Sequence, residues 1–452
     1  MTSDHILIFD IGKTNKKYLI FDEEYTVVYE YAEELPQTHD EDGFPCEDIH
    51  LLTDWIYTQA IKQLSNTEYH IKAINFSAYG ASFVLLDQDG GIMAPLYNYL
   101  KPLDKEIKKQ FFNSYGDEKK LALETCSPSL GHLNSGLQLY RLKYEKPALF
   151  DGIRYALHLP HYLSFIFTRA GWSNLTSIGC HTLLWDFEKN DYHHWVRKEN
   201  IHSLFPLNAN SDTLIACRIL DFEVLAGIGL HDSSAALIPY LKLRSSPFIL
   251  LSTGTWCIAL NPFTEDPLTE DELAKDCLCY FSYESKPIKA SRLFLGHEHQ
   301  EFVKRIADHF HTDENFYKSI AYDPAIIHDH ADLSFQDQTG LIKSGFEKRT
   351  IGSYFDEKAA YHSLIQDLVA TQVKSLKLIQ KDLSKIDVLV DGGFAQNEIF
   401  MSLLARSLPQ AAVYAAEIHQ ASATGAAMVI HDGWNRRPMH PELIKLKFYA
   451  SR

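Results

Sequence analysis

Short apolar runs punctuate the chain: Ile6-Leu-Ile-Phe9 ending at Asp10, Tyr18-Leu-Ile-Phe21, Phe248-Ile-Leu-Leu251 and Val388-Leu-Val390. Runs of this length bounded by turn residues predict strands buried on both faces. Two segments repeat one design. Ile6 to Asn15 leads into Tyr18-Leu-Ile-Phe21, and Phe248 to Thr255 leads into Trp256-Cys-Ile-Ala-Leu260. Each predicts strand, Gly-Thr turn, strand, because glycine permits a tight turn and the second apolar run returns as a hairpin partner. One such hairpin is commonplace; two, half a chain apart, predict a duplicated α/β domain.

A third unit, Val388-Leu-Val-Asp-Gly-Gly-Phe-Ala-Gln-Asn397, begins as a strand and passes through paired glycines into the helical pattern Ile399 to Ala405. In that geometry the backbone amides at a helix start can face a ligand. A period of 3.6 residues predicts a further helix from Tyr361 to Leu383, and polar stretches at Gln37 to Gly43 and Thr264 to Asp276 predict loops. The domain boundary is placed just before Phe248, giving 1–247 and 248–452. No flexible linker separates the halves, so a packed central cleft is expected.

Length supports this division, since 452 residues exceed what one hydrophobic core comfortably serves. A formal charge of −16 repels nucleic-acid backbones and anionic membranes, which leaves small molecules as partners. The seven cysteines are scattered, with only Cys277 and Cys279 close together. That pattern argues against a disulfide framework and suits a cytoplasmic protein. No leader pattern or membrane-length apolar stretch is visible.

Phosphoryl transfer from ATP needs a phosphate cradle, a carboxylate for hydrated Mg²⁺, a nucleotide platform and a base beside the acceptor hydroxyl. The chain offers a candidate for each. Asp10-Ile-Gly-Lys-Thr14 puts a carboxylate at a strand end with donors after it, and Ser252-Thr-Gly-Thr255 adds hydroxyls and turn amides. Gly392 and Gly393 let a planar base lie against bare backbone. Asp232 stands just before a small-residue helix start in Gly229-Leu-His-Asp-Ser-Ser-Ala-Ala236. Each feature alone has a plainer reading: Asp10-x-Gly as a strand-end turn, Asp232-Ser-Ser as an N-cap, Gly-Gly as a β-α turn. The combination in this order favours the chemical reading.

Together these segments resemble the FGGY carbohydrate kinases over nearly the whole chain. The resemblance implies two actin/hexokinase-like (ribonuclease H-like) ATPase domains, with the sugar and first phosphate loop in the N-terminal domain and ATP in the C-terminal one. It assigns Gly12, Lys13, Thr14, Asn15 and Lys17 to the first phosphate loop, and Thr253, Gly254 and Thr255 to the second. Gly392, Gly393, Gln396 and Asn397 match the adenosine motif, and Ala423-Thr-Gly-Ala-Ala427 matches the small-residue helix behind the nucleotide. Asp10 then holds Mg²⁺ through water, and Asp232 is the base. His231, Tyr79, Gly80 and Ser82 fall on sugar-binding positions.

Three details resemble the rhamnulokinase and fuculokinase branch: the His before Asp232, the Gly-Thr-Trp of the second loop, and Tyr79-Gly-Ala-Ser-Phe-Val-Leu-Leu-Asp87. Leu157-His-Leu-Pro-His-Tyr-Leu163 resembles the Pro-Asp-Tyr-Leu helix of the family. The implied acceptor is a 6-deoxy-ketohexose such as L-rhamnulose or L-fuculose, phosphorylated on a primary hydroxyl by a monomer or homodimer. The sequence departs from that branch at Ser82, where an acid is usual, and at Pro95 to Lys101, which lacks Trp-x-Asp-x-Arg. A pentulose or polyol acceptor, or a silent sugar sensor, is therefore the alternative. Lys13 replaces a small residue and is expected to face solvent. His297-Glu-His299 and His328-Asp-His330 lack a third ligand at metal spacing and read as surface histidines.

Overall fold

Ile6, Leu7, Ile8 and Phe9 are fully buried, as are Phe248, Ile249 and Leu251, so the apolar runs are interior strands. The computed structural model describes residues 3–327, 332–337 and 341–451; the His328/His330 pair lies outside them.

Both expected hairpins form. Asp4–Ile11 pairs antiparallel with Lys16–Phe21, Asp10 standing opposite Lys17. Phe248–Thr253 pairs antiparallel with Cys257–Asn261, Thr253 opposite Cys257. Each first strand also takes a parallel neighbour on its other side. His70–Ala78 runs beside Asp4–Ile11 with Ser77 opposite Asp10, and Asp387–Gly392 runs beside Phe248–Thr253 with Asp391 opposite Ser252. The same three-strand device is thus built twice, each time delivering a polar strand end next to a turn.

Two compact units result. The first comprises Met1–Leu243, Cys279–Pro287 and His419–Pro441; the second comprises Arg244–Leu278, Ile288–Ile418 and Glu442–Arg452. A single cut before Phe248 does not describe the two late segments that return to the first unit. In the first unit the strands lie in the order Leu214–Ile219, Phe222–Gly227, His70–Ala78, Asp4–Ile11, Lys16–Phe21 and Val27–Glu33, with Leu230–His231 also pairing His70–Ala78. Helices Ile49–Leu64 and Leu159–Thr168 bury Leu52, Ile56, Leu163 and Phe165 against this sheet. In the second unit the ladder runs Pro287–Leu293, Cys257–Asn261, Phe248–Thr253, Asp387–Gly392, Val413–Glu417 and Lys445–Tyr449.

Two helices of the first unit pack closely because their contact is made of small residues. Asp232–Leu243 and Ala421–Val429 approach so closely that a Cβ on Gly425 would lie 1.8 Å from the Ala235 carbonyl oxygen. The small-residue segment expected behind the nucleotide therefore clusters with the first unit, against the helix that begins at Asp232.

Several sequence-derived boundaries shift for local reasons. The helix expected from Tyr361 to Leu383 spans Glu357–Ile379, begun by the Asp356 carboxylate, which accepts from the Ala359 amide at 2.7 Å. The stretch Gln37 to Gly43 contains a short strand, Gln37–His39, paired with Pro45–Glu47. Thr264 to Asp276 contains the helix Glu270–Ala274, fixed by a reciprocal Thr269/Glu272 capping box. Among the described residues no helix is long and apolar enough to cross a membrane.

Candidate active site

The first loop is held from beneath by a buried lysine. Lys16 donates from Nζ to the carbonyls of Gly12 and Lys13, both at 3.0 Å, and its ammonium lies 3.2 Å from Glu47 Oε1. Burial pushes the Lys16 ammonium below its ordinary value while Glu47 opposes the shift. A buried cation that satisfies two loop carbonyls and is paired with a carboxylate fixes the loop shape. Thr14 and Asn15 stay exposed at the loop tip, and Lys17 donates to Gln420 Oε1 at 3.2 Å.

Lys13 does not run out to solvent as expected. Its Nζ lies 3.4 Å from Glu47 Oε1 and sits over the rings of Tyr79 and Tyr99, 5.3 and 5.4 Å from their centroids. The cause is electrostatic: a buried carboxylate and two aromatic faces offer the ammonium more than bulk water does.

Asp10 ends its strand with Oδ2 accepting a hydrogen bond from Ser422 Oγ at 2.9 Å. Burial raises its carboxyl above the usual range; the Asp232 charge raises it further, while Ser422, Ser77 and Lys17 oppose the shift. Asp232 is the first residue of its helix, and its Oδ1 accepts from the Ser233 amide at 2.6 Å. Two carboxylates from distant parts of the chain are therefore within electrostatic reach of each other. The linking scaffold is visible: Ser422 holds Asp10 from the helix whose Gly425 packs on Ala235, one turn beyond Asp232.

His231 lies beside the base, with Nε2 3.3 Å from Asp232 Oδ1. Burial lowers its pKa, and Asp232 only partly offsets this, so the ring is neutral near pH 7. Gly80 makes room for it: a Cβ there would stand 2.8 Å from His231 Cδ2. Tyr79 is buried next to the same strand end, its amide donating to the Ile11 carbonyl at 3.1 Å. Ser82 is 1% exposed and donates its hydroxyl to the Tyr97 carbonyl at 3.1 Å. Asn75 ties these parts together, accepting from the Gly229 amide at 3.2 Å and donating to the Ala426 carbonyl at 2.7 Å.

The second unit carries a pocket of about 610 Å³ whose lining includes Thr253, Gly254, Thr255, Gly393, Gln396 and Asn397, a size suited to a small-molecule ligand. The paired glycines divide their tasks. Gly392 has φ +88°, and a Cβ on it would meet the Thr253 carbonyl oxygen at 2.0 Å, so it serves strand packing. Gly393 has nothing nearer than 3.9 Å and opens onto the pocket. Thr253 spends its hydroxyl on the Asp391 carbonyl and the Phe394 amide, fixing the turn.

His299 is not a surface residue: it is buried, lines this pocket and accepts or donates at Tyr361 Oη across 3.0 Å. Burial pushes its imidazole down to about 4. Its neighbour His297 is exposed. Tyr361 also takes a hydrogen bond from Asn397 Nδ2 at 2.7 Å, so one phenol orients two pocket side chains. Gly296, His299, Gln300 and Tyr317 also line the pocket; Gly296, Gln300 and Tyr317 carried no sequence signal. Gly296 is required because its Cβ would fall 1.8 Å from the Gly254 carbonyl oxygen. Trp256 packs on Phe294 with ring centroids 4.5 Å apart and lies under Arg292.

Comparison with known proteins finds family models over most of the chain. The N-terminal domain profile of the FGGY family of carbohydrate kinases matches residues 5–198, and the C-terminal domain profile of carbohydrate kinase FGGY matches residues 245–438. A carbohydrate kinase from Novosphingobium aromaticivorans superposes with a TM-score of 0.83 at 22% identity, covering 100% of this chain and 95% of its own. A ligand-bound xylulose kinase from Lactobacillus acidophilus gives 0.79 at 13%, covering 99% and 94%. A rhamnulokinase of Halalkalibacterium halodurans is 23% identical over 257 residues, which are 55% of this chain and 52% of the relative. The match thus spans about half the length of that curated relative.

Proposed function

Since the chain belongs to the FGGY family of carbohydrate kinases, with two sheet-containing domains of the actin/hexokinase-like fold, we propose that it phosphorylates a primary hydroxyl of a small ketose from ATP. The observation that carries this reading is the pairing of Asp10 and Asp232 in the first unit. Asp232 takes the acceptor proton; Asp10 is the anchor for hydrated Mg²⁺. A pure binder has no need of both acids, which argues against a silent sensor.

The residues present suit Mg²⁺. Asp10 offers hard carboxylate oxygens where burial and Asp232 both disfavour its charge, and a divalent cation offsets both. When bound, the ion neutralises charge on the phosphate oxygens. The chain's own groups do the rest. Lys13 to Asn15 present turn amides and the Thr14 hydroxyl to phosphate, in a turn closed by the Gly12 amide on the Asn15 carbonyl and shaped by Lys16. The pocket around Thr255, Gly393 and Asn397 takes the nucleotide. His231, neutral and next to Asp232, orients the carboxylate and contacts the sugar.

A 6-deoxy-ketohexose such as L-rhamnulose or L-fuculose is the acceptor favoured by the His231-Asp232 and Gly254-Thr255-Trp256 details and by the rhamnulokinase relatives. A pentulose or polyol is the second reading, favoured by Ser82, whose hydroxyl is already engaged by Tyr97. The scattered cysteines support a cytoplasmic setting, where ATP is also available. A coupled ADP-release screen with Mg²⁺ across ketoses, aldoses and polyols tests the proposal. Sugar-dependent ADP with one class of ketose supports it, and no sugar-dependent ADP with any acceptor overturns it.

A further inference from the structure

Next to Asp232 lies a cluster of which two members, Cys180 and His181, have no part in the proposed phosphoryl transfer. Cys180, His181 and His231 are all buried, and one ligand atom from each lies within 4.8 Å of the other two. Cys180 Sγ stands 3.7 Å from His231 Nε2, and that same nitrogen stands 3.3 Å from Asp232 Oδ1. A tetrahedral ion with a metal-sulfur bond near 2.3 Å and metal-nitrogen and metal-oxygen bonds near 2.0 Å separates its S and N ligands by roughly 3.5 Å and its N and O ligands by about 3.3 Å. The observed spacings are those of ligand edges.

We infer that Cys180, His181 and His231 form a site for a borderline-soft divalent transition metal of the Zn²⁺ or Co²⁺ type, whose binding blocks the sugar side of the Asp232 centre. The fourth position is left to water or to Asp232 itself. This inference rests on the proposed roles of Asp232 and His231 for its inhibitory consequence, but not for the binding.

The surroundings are those of a metal-binding histidine pair. His181 Nδ1 faces the Leu133 carbonyl at 3.2 Å, the kind of backbone contact that orients metal-binding histidines. The His181 and His231 rings are 6.2 Å apart and perpendicular, with Tyr280 flanking both. Gly80 keeps the Nε2 edge of His231 clear of any Cβ. A thiol with two imidazoles selects zinc-like ions over Mg²⁺, which prefers oxygen donors such as Asp10.

The other His-containing group, Glu124, His193 and His194, has no thiol, and its His193 Nε2 is paired with Glu124 Oε2 at 2.9 Å. Sulfur ligation therefore distinguishes the two. Chelator-treated full-length protein should be titrated with Co²⁺ and followed by visible absorption. One equivalent should produce tetrahedral d-d bands with a thiolate-to-metal charge-transfer band. Cys180→Ser should abolish the charge-transfer band, and His181→Gln should weaken binding at least tenfold. In the kinase assay at saturating Mg²⁺, Zn²⁺ should inhibit competitively with the sugar, and Cys180→Ser should relieve that inhibition. Absence of a charge-transfer band, or an unchanged one in Cys180→Ser, overturns the site; sulfur-ligated binding without inhibition overturns the blocking role. A chain that binds Co²⁺ this way yet phosphorylates nothing keeps the site and refutes only the kinase reading.

Discussion

Ser422 Oγ donates a hydrogen bond to Asp10 Oδ2 across 2.9 Å, joining positions 412 residues apart in sequence. The bond supports the ionised form of a carboxyl that burial and Asp232 otherwise drive toward protonation. Ser422→Ala should therefore raise the Asp10 pKa further and move the acid limb of kcat/KM to higher pH. A hydrogen bond to a charged group is worth about 1.5 kcal/mol, so the shift should be about one pH unit. An unmoved acid limb would separate Asp10 from the ionisation that turnover requires.

Packing of the two small-residue helices sets the position of Asp232. Gly425→Ala places a Cβ against the Ala235 carbonyl oxygen at 1.8 Å, which backbone cannot yield cheaply. Urea unfolding should show a loss of ~1–3 kcal/mol, with kcat falling in the folded fraction. Wild-type stability and rate together would mean that the helices are not locked here.

Much of this was legible in the chain because the signals are local. Strand, Gly turn and strand are contiguous in Ile6 to Phe21 and Phe248 to Leu260, and Asp391-Gly-Gly393 announces its turn. What could not be read are contacts whose partners are far apart. Lys13 looked solvent-bound because Glu47, Tyr79 and Tyr99 arrive from other elements. Nothing local in Ala423 to Ala427 announces that its glycine packs on the Ala235 carbonyl. His299 looked like surface because Tyr361, which buries and bonds it, lies 62 residues on.

Tyr361 makes a case for orientation without contact to nucleotide. Tyr361→Phe removes the partner of Asn397 Nδ2 and His299 Nε2, each worth ~1 kcal/mol. The KM for ATP should rise about fivefold to tenfold while the sugar KM stays put. A change in the sugar KM alone would detach this pocket from ATP.

Stability should fall in mild acid. His132, His161 and His299 are each pushed down to about 4 from 6.5 by burial. A lowered folded-state pKa contributes stability that is complete above 6.5 and lost as pH falls through 4, because the unfolded chain binds the proton first. Each histidine can contribute roughly 3 kcal/mol over that window. Urea midpoints should drop between pH 7 and pH 5, and His161→Gln should flatten the slope. Equal stability at both values would contradict the burial of neutral imidazoles.

The most direct measurement is turnover of Asp232→Asn with the acceptor identified by the ADP-release screen, alongside calorimetric affinities for ATP and sugar. Asparagine keeps the shape of the carboxylate and caps a helix as well as aspartate does, but it cannot accept the hydroxyl proton. The account predicts near-native affinities with kcat reduced ~10² to ~10⁴-fold. Wild-type turnover in Asp232→Asn would contradict it, leaving Asp232 as a helix cap and the two carboxylates without a catalytic partnership.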